Sequence, residues 1–155
     1  NDFTGNYKEN WNKYKQDKVT ELVQKTYSLL YSKFNNIKLS VAVKPNLLEA
    51  KERFSQDWAF WLKTGIVDYV FPMNYYSDMY FFNRDLKLII NRIPGPLHPK
   101  IIMGIGCYNQ QAEDAVDKIS LVKLHRFGGI SLFSFDNHIN DLSWFDPVHK
   151  KIFFN

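Results

Sequence analysis

The chain alternates. Apolar runs of about seven to nine residues recur between segments with helical periodicity, and few other patterns restrict a fold so strongly. Residues 37–45 (IKLSVAVKP), 67–73 (VDYVFPM), 100–108 (KIIMGIGCY) and 128–136 (GGISLFSFD) read as strands. Residues 17–35, 55–65, 79–93 and 110–127 read as helices between them. In the first, Val19, Leu22, Val23, Tyr27, Leu30 and Phe34 recur at three and four residues, which makes one apolar stripe. Phe82, Leu86, Ile89, Ile90 and Ile93 do the same in the third. Ala112, Ala115, Val116, Ile119 and Val122 face inward in the fourth. Ser55 is placed to cap the second helix and Gly65 to end it. Residues 1–16 read as a loop or short helix. PGPLHP reads as a rigid connection, and the tail after residue 136 as irregular with a short last element.

The strands lack clean polar and apolar alternation. That pattern predicts strands buried on both faces, hence a parallel sheet covered by helices with right-handed crossovers. Four such units suit a small open sheet or half of a (β/α)8 barrel, which needs about 250 residues when whole. The 155 residues suffice for one domain with a core.

Composition narrows the function classes. Net charge is +4, but the lysines are scattered among acids, and Lys13, Lys15 and Lys18 read as a solvated face, so no nucleic-acid partner is expected. One cysteine, Cys107, excludes an intramolecular disulfide and offers no zinc pattern. No run of about 18 apolar residues exists to span a membrane. The opening NDFTGNYKEN, without Met or a signal peptide, reads as the start of an excised or processed segment.

Parallel sheets place ligands at the C-terminal ends of their strands. Those ends carry Lys44; Met73, Asn74 and Tyr75; Tyr108 and Asn109; and Asp136 with His138. Taken singly, each has a bland reading. Tyr75 and Tyr108 suit half-buried rim positions, Asn74 and Asn109 turns, Asp136 a cap, and Lys44 a side chain reaching for solvent. Taken together, aromatic faces beside amides, hydroxyls and one carboxylate suit a polyhydroxylated ring. Sugar C–H faces pack on tyrosine while their hydroxyls need donors and acceptors. Other motifs are weaker. DNHINDLSWFD lacks the Gly and final Glu of a calcium loop, and GIGCYN lacks a phosphate-loop lysine. Cys107 is expected to be buried and inert, not paired with His125 or His138. Trp58 and Trp61 are expected to pack rather than to present a sugar platform.

Several stretches resemble the family-10-like glycosyl hydrolases, bacterial glycan hydrolases with a TIM barrel. They are WNKYKQDKVTELVQKTYSLLYSKFNNIKLSVAV, QDWAFWLKTGIVDYVFPMNYY, IIMGIGCYN and FGGISLFSFD, over roughly residues 11–136. More distantly, Met-x-Tyr at a strand end followed by the later glycines and aromatics is similar to family 18 chitinases. The resemblance implies an α/β fold in which residues 1–155 are one unit, the C-terminal half of a (β/α)8 TIM barrel, strands 5 to 8. It implies acid/base cleavage of a glycosidic bond in a bacterial glycan, without metal or cofactor, by an exported protein. Lys44, Met73, Asn74, Tyr75, Tyr108 and Asn109 would then line sugar subsites. Asp136 would be the one acid at a strand end, with the leading acidic motif on the preceding strand 4. Glycosidases use two carboxyls, about 5–5.5 Å apart for retention or about 6.5–9.5 Å for inversion, so this piece alone is expected to be inactive. Two alternatives remain: a non-catalytic carbohydrate-binding module, and a half-barrel that self-associates into a homo-oligomer through its open sheet edges.

Overall fold

The computed structural model describes residues 3–154, and Asn1, Asp2 and Asn155 lie outside them. The described residues form six α-helices and four short strands, with a helix or helices between successive strands. Helix α1 runs from Phe3 to Lys33, so the polar start and the expected first helix are one element. Its stripe is narrower than the spacing suggests. Val19 and Val23 pack on the core, whereas Leu22 and Phe34 are exposed. Strand β1 is Ser40–Val43.

Helix α2, Leu47–Phe54, has no counterpart among the helices that periodicity predicts. Its signal is Asn46 with Glu49 three residues on, a capping-box spacing. The Asn46 side chain accepts from the amides of Leu48 and Glu49. Ser55 does not cap the next helix. It closes α2 in a left-handed conformation (φ 58°), and Asp57 caps α3, Trp58–Thr64, by accepting from the Phe60 amide. Gly65 ends α3 at φ 76°, as expected of a glycine there.

Strand β2, Tyr69–Pro72, stops where the proline withholds its donor. Asp78 caps helix α4, Met79–Arg92, and a 3-10 turn over Gly95–Lys100 leads to β3, Ile102–Gly106. Helix α5, Ala112–Leu124, and β4, Gly129–Phe133, complete the alternation. The tail is more regular than expected: 3-10 turns at Phe135–His138 and Leu142–Trp144, then helix α6, Phe145–Phe153. The Phe133–Ser134 peptide is cis.

All pairing is parallel. β1 pairs with β2, β3 with β4, and one bridge from Val70 to Ile101 joins the two pairs. The strands therefore follow one another in chain order, as right-handed βαβ units require.

The two faces of the sheet differ, and here the expectation of double burial fails. Val43, Val70, Met103 and Ile105 are buried against the helices, with Trp58, Leu62, Phe82, Leu86, Ile89 and Ile119 behind them. On the other face Ser40, Ala42, Tyr69 and Phe133 are exposed, and Phe71 and Ser131 half-buried. Among the described residues no helix covers that face. Its residues are apolar enough to mimic a doubly covered strand in sequence, and only the arrangement of the helices shows that one side is open.

Candidate functional site

The C-terminal strand ends form a rim built on glycines. Tyr75 leaves β2 and lies across β3. A Cβ on Gly104 would meet the Pro72 carbonyl oxygen at 2.8 Å and the Tyr75 ring at 2.9 Å. Real Cβ contacts are not that close, so the glycine is what lets the ring lie there. Tyr75 then stacks on Phe133 at the end of β4 (centroids 5.1 Å, planes 10° apart), and Tyr108 meets the same Phe133 edge-on at 6.3 Å. Asn109 ties the arrangement together by donating to the Tyr75 carbonyl at 2.9 Å. Burial raises the Tyr75 hydroxyl's pKa, and the neighbouring Tyr108 adds to the effect, so the Tyr75 phenol stays a neutral donor at physiological pH.

Tyr75, Tyr108 and Asn109 thus come together, and Phe133 joins them. Sequence reading missed Phe133 as a site residue because it looks like one more apolar strand position. The signal was its place at the last position of a strand, register-paired with Gly106. It is 51% exposed.

Two hollows flank the cluster. One, of about 300 Å³, is lined by Lys44, Pro45, Glu49, Met73, Tyr75 and Tyr76. The other, of about 240 Å³, lies on the open sheet face between Ala42, Phe71, Met73, Gly104 and Ser131, again with Tyr75. Lys44 and Met73 are therefore at the rim. Comparable hollows between α1, α2 and α3 are lined by Lys13, Gln16, Lys51 and Asp57, away from the strand ends.

Asn74 and Asp136 are placed differently. Asn74 is fully buried, its amide donating to the Phe82 carbonyl in α4 at 3.1 Å while its own oxygen finds no partner. It is not a turn residue bonding its own loop; it fastens the rim to the helix layer. Nearby, Asp85 is also fully buried. It accepts from Asn46 at 3.1 Å and from Arg84 at 2.9 Å. Asp136 stands exposed on the turn after β4 and lines neither hollow. Asp78 is occupied as the cap of α4, accepting from the Tyr80 amide at 2.7 Å.

Lys118, unremarked in sequence, is fully buried on α5. Its ammonium donates to the carbonyls of Tyr76 at 2.9 Å and Ser77 at 2.7 Å, and to the Gln110 side chain, and Gln110 in turn donates to the Gly106 carbonyl. One cation thereby joins the loop after β2 to the loop after β3, the two loops that carry the rim tyrosines. Burial lowers its pKa, offset in part by Asp114 and Asp78.

Cys107 is buried, and burial pushes its thiol up to about 11, so it is no nucleophile at neutral pH. His138 bonds the Cys107 carbonyl at 3.0 Å, not the sulfur. Trp58 and Trp61 are buried packing residues, their ring nitrogens donating to the Lys44 carbonyl and the Thr20 hydroxyl.

The open rim of stacked aromatics thus lies at the C-terminal ends of parallel strands, and comparison with known families places the chain. The model of the family described as glycosyl hydrolase-like 10 matches residues 1–118. The chain belongs to that family. The match covers β1 to β3 with the rim residues Lys44 to Asn109 and ends within α5, before Phe133 and Asp136. No curated protein and no solved structure matches the chain.

Proposed function

We propose that this chain is half of a (β/α)8 glycoside hydrolase and forms the sugar-binding side of its cleft. On this reading β1 to β4 are strands 5 to 8, and the parent protein's preceding strands cover the open face and bring the principal acids. The substrate is a bacterial glycan met outside the cytoplasm, and cleavage is acid/base chemistry at the glycosidic bond. The observation that carries the reading is the Tyr75–Phe133–Tyr108 cluster, exposed at the strand ends and seated on Gly104 and Gly106. Such a cluster offers a flat face to sugar C–H groups, with phenol and amide groups at its edge for the hydroxyls.

Lys44, Met73, Tyr75, Tyr108 and Asn109 then contact the glycan, and Asn74 acts from behind by holding the Tyr75 loop. Asp136 binds hydroxyls or serves as a second acid. Alone, the chain binds without turnover. Phe133→Ala is expected to weaken oligosaccharide binding by about tenfold, with the melting temperature nearly unchanged. Calorimetric titration reads the first and a thermal melt the second. Hydrolysis by this chain that disappears in Asp136→Asn would refute the expected inactivity.

A second reading has its own observation. The open face and the unpaired outer edges of β1 and β4 suit closure by a second copy of the chain. Sedimentation across a concentration series separates the two readings, because a monomer at every concentration removes the second.

A further inference from the structure

The hollow beside β1 contains a cation with no counter-ion. Lys44 follows the last residue of β1, and among the described residues it forms no ion pair. Its ammonium rests over the Phe54 ring, 4.8 Å from the centroid. The one carboxylate in the same hollow, Glu49, is already engaged by Arg53 at 2.6 Å, and the Arg53 guanidinium lies 5.6 Å from the same Phe54 ring. Lys44 and Glu49 are the charged residues of the wall, and because Arg53, from outside the wall, neutralises Glu49, the Lys44 charge is left uncompensated. Tyr75 and Tyr76 line the hollow as well, so neutral donors surround that charge. At about 300 Å³ the space is at the small end of ligand pockets, which run to about 1,000 Å³.

We propose that this hollow takes the carboxylate of an acidic sugar, so the glycan is anionic and Lys44 selects it. The inference rests on the sugar-binding reading of the rim and narrows its substrate class. A single lysine balances one negative charge. A phosphate monoester, at about −1.5 to −2, would be left uncompensated. The carboxylate displaces no internal partner of Lys44, because the ammonium has only the aromatic face to leave or to share.

The test is binding of the 155-residue chain to two acid–ester pairs. One pair is tetragalacturonate and its methyl ester. The other is a GlcNAc–MurNAc tetrasaccharide and its lactyl methyl ester. Wild type is expected to favour the acid of at least one pair by about tenfold or more, and the preference should shrink with added salt. Lys44→Met should abolish the preference by lowering affinity for the acid more than for the ester, and Lys44→Arg should restore most of it. Equal affinity for acid and ester in wild type overturns the proposal while leaving the sugar-binding reading in place. Binding of neither member of either pair, with neutral oligosaccharides also ignored, overturns both. The wild-type comparison of acid with ester decides the matter even if a variant misfolds.

Discussion

The two faces of the one sheet have similar residue types and opposite fates. Val43, Val70, Met103 and Ile105 are sealed under helices, whereas Ala42, Tyr69 and Phe71, next to two of them in sequence, and Phe133 at the end of β4 meet open space or one another. Apolar character alone thus does not report burial. What separates the faces is where the connecting helices go. Right-handed crossovers in chain order put every helix on the same side. The uncovered side is then available for a cleft or a partner.

That contrast can be tested most forcefully in the covered layer. Phe82→Ala removes a fully buried ring over which the Lys118 ammonium also sits. A loss of about 3–5 kcal/mol is expected from urea denaturation. A loss under about 1 kcal/mol would mean that the helix layer is not the core described.

Asp68 sharpens the comparison at the edge of the covered layer. Its carboxylate accepts from Tyr31 of α1 at 2.7 Å, from the Leu39 amide at 2.9 Å and from Lys38 at 3.1 Å. Burial alone would raise its pKa. The bonds from Tyr31, the Leu39 amide and Lys38 outweigh that and hold it below the ordinary 3.8. A depressed carboxyl stabilises the fold above its unfolded value, and that contribution is lost as pH falls through the folded value. Asp68→Asn should therefore cost about 1–3 kcal/mol at pH 7. The gap from wild type should close as the pH is taken below 3.8. A gap that stays constant with pH would show that the carboxylate's charge is not what locks α1 to the sheet.

The smallest effect is expected on the open face. Phe71→Ser should change stability by no more than about 1 kcal/mol, since little covers the ring. A loss near that of Phe82→Ala would erase the distinction and point to something seated on this face in solution.

Much of the fold was legible in the sequence because helices and strands follow from local periodicity. The α4 and α5 stripes were read correctly, and Pro72 and Gly65 end their elements through backbone chemistry that no context alters. Helix α2 escaped because eight residues hold too few turns to show a period. Of the rim, Lys44, Met73, Tyr75, Tyr108 and Asn109 were found by one rule, the location of strand ends. Phe133 and Lys118 were not. The first has the composition of a core strand, and a lysine on an apolar helix reads as solvent-facing until its three acceptors are brought to it from other segments.

By itself, then, the chain's sequence determined the alternation, the parallel sheet and the family, since these depend on propensities, short connections and matched motifs. Tertiary structure alone decided which face of the sheet is open, which aromatics stack, and which lysine is clamped. Those outcomes depend on contacts between residues far apart in the chain, such as Tyr75 with Phe133, 58 positions apart, or Lys118 with Tyr76, 42 apart. No local pattern encodes such distances, because the free energy that favours them appears only when the strands have already been brought side by side.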